Sequence, residues 1–207
     1  MKTWYLFPLL CLPFSVSGQI KVTPLNKSAV PAYIKLIGRM VSAARYRDKN
    51  GEHVVIATET GATPTKNPLS DEDFQDADVF ATDYLIAGNQ ATIFWQIHDF
   101  IKTCGLDIKA KFVPSTFAVT DLNKDGTAEV WLMYATACRG DVGPANLKII
   151  MHDGSRKFAM RGNSKVELSA NEHYGGEYKF DEAFINGPEE FRQYAWQLWK
   201  RNVNETW

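Results

Sequence analysis

Four stretches of the chain share the pattern that most limits its fold: two apolar, β-prone runs flanking a short turn rich in Gly, Asn or Asp. The first runs from Lys35 to Thr60 around Asp48-Lys49-Asn50-Gly51, and the second from Asp83 to Phe100 around Gly88-Asn89. The third runs from Phe117 to Tyr134 around Asn123-Lys124-Asp125-Gly126, and the fourth from Leu147 to Arg161 around Asp153-Gly154. Their return strands alternate, as in Val54, Ile56 and Thr58 against Val55, Ala57 and Glu59. Successive strand side chains point to opposite faces, so this alternation predicts antiparallel sheets with one buried face. The four stretches differ too much in sequence to be propeller blades.

Between the first two hairpins, Gly61 to Asp78 is rich in Thr, Pro, Asn and acidic residues and reads as a long surface loop. The period changes near the C-terminus. Asn186 or Gly187 can cap, Pro188 suits the first helical position, and Glu189 and Glu190 face the positive helix end. Phe191, Tyr194, Ala195 and Leu198 then form one apolar stripe, widened by Trp196 and Trp199, which predicts an amphipathic helix packed on a sheet. A helix after Asn171 is argued against by Gly175-Gly176. The fold class expected is therefore α+β and β-rich: antiparallel hairpins in one or two sheets with a C-terminal amphipathic helix.

Residues 1–18 read as a secretory signal peptide, with Lys2, an apolar stretch from Trp4 to Phe14, and the compact residues Val16-Ser17-Gly18 before a cut. Pro8 and Pro13 break that stretch, which is shorter than the roughly 20 residues a bilayer span needs, so no transmembrane span is expected once the leader is removed. Residues 19–207 form one domain on this reading. Loss of Cys11 leaves Cys104 and Cys138 in an oxidising compartment, where a disulfide is the simple expectation. The 23 basic and 24 acidic residues are interspersed, which leaves no electrostatic footprint for nucleic acid.

Asp121, Asn123, Asp125, Thr127 and Glu129 place oxygen donors at alternate positions around Gly126, the arrangement a hard cation such as calcium requires. Leu132 occupies the position of the bidentate glutamate that closes an EF-hand, and a strand follows instead of a helix. The loop resembles the strand-loop-strand calcium loops of integrin-type propeller repeats, with Glu129 where Asp is commoner. The competing reading is a hairpin turn braced by Asn and Asp side chains. Both stand at this point.

A broader likeness runs through Val119-Thr120-Asp121-Leu122, Glu129-Val130-Trp131, Cys138-Arg139-Gly140-Asp141-Val142, Lys148-Ile149-Ile150-Met151 and Lys157 to Gly162. Trp95 to Phe100 and Gly175 to Phe180 extend it. These segments resemble an uncharacterised family of exported proteins from Gram-negative bacteria, some loosely labelled as surface-polysaccharide biosynthesis proteins. The resemblance implies an envelope location: periplasm, outer-membrane surface or secreted. It carries over no catalytic residues.

Arg139-Gly140-Asp141 spells an integrin-recognition tripeptide, for which a local turn is the simpler account. His53, His98, His152 and His173 lack metal-ligand spacing. The function expected is a non-catalytic binding or accessory module engaging glycan or an envelope protein. Trp95, Trp131 or their neighbours would need to be exposed to stack on sugar rings. Two other classes are a hydrolase of envelope carbohydrate, using carboxylates near His98-Asp99 and Glu172, and a structural part of an envelope assembly.

Overall fold

The computed structural model describes residues 20–66, 73–169 and 172–205, so the expected leader lies outside the described residues. Two six-stranded sheets stack on one another. The first contains β1 (Val22–Pro24), β2 (Arg39–Asp48), β3 (Gly51–Glu59), β4 (Thr63–Lys66), β5 (Asp73–Ala87) and β6 (Gln90–Cys104), in the order β1-β2-β3-β5-β4 with β6 also paired to β5. The second contains β7 (Asp107–Phe112), β8 (Ala118–Thr120), β9 (Glu129–Arg139), β10 (Asn146–Asp153), β11 (Arg156–Asn163) and β14 (Tyr178–Phe180), in the order β14-β11-β10-β9-β7 with β8 on β9. A separate ribbon joins β12 (Lys165–Ser169) to β13 (Glu172–Gly175). Two helices follow, α1 (Glu182–Ile185) and α2 (Glu189–Asn202).

All four expected hairpins form, as β2–β3, β5–β6, β8–β9 and β10–β11. The return strand of the third explains itself through position. β9 is central in its sheet, and Val130, Leu132 and Tyr134 face the first sheet while Trp131, Met133, Ala135 and Ala137 face the helix layer. A strand covered on both sides needs apolar residues at every position, and this one has an almost continuous apolar run. On the helix side, Trp131, Met151 and Phe158 pack under Phe184, Phe191 and Trp199. Burying each such large side chain contributes about 1.5–3 kcal/mol. On the outer face of the first sheet, Val54 and Ile56 are covered by Ile34, Leu25 and Leu36 of the N-terminal segment.

The expected surface loop Gly61 to Asp78 is corrected: β4 and the first residues of β5 pair there, with Thr63 opposite Asp76 and Lys66 opposite Asp73. Pro64 is tolerated because β4 ends the sheet, where an absent N–H breaks no ladder. The tail helix forms, but Pro188 is its N-cap and no side chain caps it; Asp181 instead caps α1 by accepting from Phe184 N–H.

Cys104 at the end of β6 and Cys138 in β9 form a disulfide, with Cα atoms 5.7 Å apart and a sequence separation of 34. It staples one sheet to the other. In the chain-entropy model a closed loop of this size stabilises the fold by about 3–4 kcal/mol.

Candidate functional site

Three turns meet at one end of the sandwich. The β2–β3 turn lies against the β8–β9 loop, with Lys49 N–H donating to the Gly126 carbonyl at 2.9 Å and Ala128 N–H donating to Asp48 Oδ2 at 3.0 Å. The β10–β11 turn joins them through Gly154 N–H, which donates to the Ala128 carbonyl at 3.3 Å. Within the loop, Lys124 and Gly126 adopt left-handed backbone, with φ of 58° and 80°.

The five candidate calcium ligands are largely engaged with the protein itself. Asn123 Oδ1 accepts from Asp125 N–H, and Asp125 Oδ1 accepts from Thr127 N–H at 2.7 Å. Asp125 Oδ2 is 3.2 Å from Lys49 Nζ. Glu129, fully buried, accepts from the Thr120 hydroxyl and from Leu122 N–H. Asp121 Oδ1 is buried and has no hydrogen-bond partner. The carboxylates also feel one another: burial first, then the charges of Asp125 and Asp121, push the Asp153 carboxyl up. Among the described residues, no three His, Cys, Asp or Glu side chains gather as a metal centre. The loop is thus braced by its own hydrogen bonds, with Lys49 as counter-ion and one carboxylate oxygen of Asp121 left over.

Directly inside that turn lies a polar cluster that sequence reasoning missed. His53 is fully buried, stacked on Tyr46 with ring centroids 4.8 Å apart and edge-on to Phe94. Its Nδ1 is 2.8 Å from Asp83 Oδ2, which also accepts from the Tyr46 hydroxyl at 2.9 Å. Its Nε2 lies 3.4 Å from Asp48 Oδ1 without hydrogen-bond alignment, so attraction there is coulombic. Burial opposes the charged imidazolium, but Asp48 and Asp83 outweigh it and raise His53 to about 9. Burial likewise opposes the Asp48 carboxylate, yet His53 and the Ala128 and Asn50 N–H groups hold it down at about 2. The result is a carboxylate–imidazolium–carboxylate chain sealed from solvent, which ties β2, β3 and β5 together and offers no path to a substrate.

The exposed chemistry sits elsewhere, on the outer face of the first sheet. Phe80 and His98 are opposite one another on β5 and β6 and stack with centroids 4.2 Å apart and planes 11° from parallel. Phe100 follows on the same face, its centroid 5.2 Å from that of His98. His98 and Lys102 both contact Asp78, each at 2.7 Å, which fixes the imidazole and holds the Asp78 carboxyl low against its burial. Gln96 is anchored on Thr82, and a shallow groove runs beside it, lined by Lys35, Ile37 and Phe80. Phe100 and His98 remain about half exposed.

Other candidates are dispersed. Trp95 and Trp131 are buried, so neither meets the condition for stacking on a sugar ring. The reason is strand parity: Trp95 faces between the sheets and Trp131 faces the helices. Asp99 is paired with Lys148, while Glu172 is exposed at the start of β13 on the separate ribbon. Arg139 of the Arg-Gly-Asp tripeptide turns inward onto the buried Glu205, which Lys109 also contacts at 2.6 Å. No helix among the described residues is long and apolar enough to cross a membrane. Comparison of the chain with family models, curated proteins and solved structures found no match.

Proposed function

We propose that the chain is an exported, envelope-associated binding module without catalytic activity, and that it engages glycan through the outer face of its first sheet. The observation that carries this reading is the Phe80–His98–Phe100 row, in which His98 and Phe100 are about half exposed and Phe80 is partly buried beneath them, with Gln96 and Lys102 on either side. Flat rings offer apolar surface to the C–H face of a pyranose, and neighbouring polar side chains offer hydrogen bonds to its hydroxyls. The Asp78 contacts hold His98 and Lys102 in place before any ligand arrives, so less ordering entropy opposes binding. A hydrolase needs two carboxylates facing one cleft. Asp99 is neutralised by Lys148, and Glu172 lies on another sheet.

Calcium belongs to this reading as a stabiliser of the β8–β9 loop, where it replaces Lys49 on Asp125 and takes up the spare Asp121 oxygen. Titration of a panel of neutral and acidic oligosaccharides, followed by amide chemical shifts, tests the glycan site. Shifts concentrated on β5 and β6 that disappear in Phe100→Ala support it, with affinity falling by about 2 kcal/mol for loss of an aromatic anchor. Saturating oligosaccharide without shifts on that face sinks it.

A further inference from the structure

At the end of the β2–β3 hairpin opposite the acidic turn, the two sheets part around a cavity of about 420 Å³. This falls within the range of about 300–1,000 Å³ typical of small-ligand sites. Its apolar lining comes from Val41 and Ala57 of the first sheet, Leu132 of β9, Phe112 at the end of β7 and Phe117 of the connection to β8, while its polar lining gathers at the mouth. The cavity is separate from the aromatic face and shares none of its residues.

Charge at the mouth is asymmetric. The one carboxylate there, Glu59, is nearly buried and already satisfied, with Oε1 accepting from Phe112 N–H at 2.8 Å and Oε2 from Arg39 at 2.9 Å. That pair cancels. Lys111, exposed on the same rim, has no ion-pair partner among the described residues, so the rim carries one net positive charge. The hydroxyls of Ser42 and Ser115 also face no hydrogen-bond partner among the described residues. Ser115 sits in the left-handed region with φ of 61°, a conformation that costs a non-glycine residue about 1 kcal/mol or more and collects at ligand clamps.

An apolar chamber with a cationic, hydroxyl-bearing rim fits one chemical class. We infer that the cavity binds an anionic amphiphile, taking the alkyl chain of a fatty acid between the sheets and holding its carboxylate at Lys111 and the serine hydroxyls. The glycan reading is not needed for this, and either can fail alone.

The test is calorimetric titration of the disulfide-bonded protein with dodecanoate below its micelle threshold, beside dodecylammonium. Saturable binding of one dodecanoate per chain is expected, with dodecylammonium weaker by about tenfold or more, since one charge-assisted contact is replaced by a repulsion. Lys111→Glu lowers dodecanoate affinity by about tenfold. Val41→Trp fills the chamber and removes binding while leaving the melting transition in place, and Phe100→Ala leaves binding unchanged. If Val41→Trp does not fold, the headgroup comparison and Lys111→Glu still decide. Absence of dodecanoate binding overturns the inference, as does equal affinity for the two headgroups. So does full binding by a folded Val41→Trp or by Lys111→Glu.

Discussion

His53 and His152 occupy the same space between the sheets, are both buried, and are both stacked on an aromatic ring, yet the protein charges the first and keeps the second neutral. His53 is flanked by Asp83 and Asp48 and titrates at about 9. His152 lies 4.2 Å from Trp95, neither ring nitrogen has a hydrogen-bond partner, and burial followed by the Lys157 charge pushes it down to about 4. Burial alone therefore says nothing about the state of a histidine. Carboxylates within reach decide it, because a desolvated charge survives only beside an opposite one. His53 is thus held by ions, and His152 by its stack on Trp95 with no hydrogen bond to either ring nitrogen.

The strongest way to break this contrast is to remove one side of the ionic chain. Asp83→Ala leaves a buried imidazolium and the Tyr46 hydroxyl without their acceptor, and a loss of about 3–5 kcal/mol is expected. Urea denaturation at neutral pH measures it. A loss below about 1 kcal/mol would mean that His53 is neutral in the folded protein and that the chain is an ordinary hydrogen bond.

The pH dependence sharpens the same contrast, because the two histidines act on opposite limbs. Folded His53 sits at about 9 against 6.5 when free, so its stabilisation is full below pH 6.5 and is lost as pH rises to about 9. The shift corresponds to roughly 3 kcal/mol. His152 works the other way: below pH 6.5 the unfolded chain takes a proton that the folded protein refuses until about pH 4, so stability falls with pH over that window. Asp48, held at about 2, contributes fully above 3.8 and loses its contribution only as pH falls towards 2. Stability should therefore peak near pH 6.5 and decline on both sides. A flat profile from pH 5 to 9 in denaturation experiments would contradict both assignments.

How much of this was written in the sequence differs between the two sites. The turn at Asp48 to Gly51 fixes the hairpin register, and the register alone makes Tyr46 and His53 cross-strand partners. Asp83 could not be placed, since it reaches His53 only through the β3–β5 pairing, a contact between segments thirty residues apart. The four hairpins and the helix were legible for the same local reason, namely that alternation and turn chemistry are properties of neighbours. β4 was not, because Pro64 and its polar neighbours look like loop and pair only since β5 extends past β3 to meet them. The aromatic row was hidden by the same logic: alternation puts His98 and Phe100 on the face of β6 opposite Trp95 and Ile97, but which face would be covered is a tertiary fact.

A smaller effect isolates the second histidine. His152→Phe keeps the ring that stacks on Trp95 and deletes two unsatisfied nitrogens, so at neutral pH stability should change by less than about 1.5 kcal/mol, in either direction. The informative readout is the acid limb. Between pH 6.5 and 4 the decline should largely vanish in this variant, while the alkaline decline due to His53 remains. An unchanged acid limb would assign that decline to other groups.

The smallest effect concerns the cation that the acidic loop uses. Lys49 lies 3.2 Å from Asp125, half exposed, and an exposed pair of this kind contributes about 0–1 kcal/mol. Lys49→Ala should therefore cost little stability by itself while leaving Asp125 and the unpartnered Asp121 oxygen without a counter-ion. Calcium should then raise the melting temperature of the variant more than that of the parent chain, and chelator should reverse the gain. The direction separates two descriptions of the loop. A turn braced only by its Asn123 and Asp125 hydrogen bonds has no use for the metal and gives the same melting curve in calcium and in chelator, with or without Lys49.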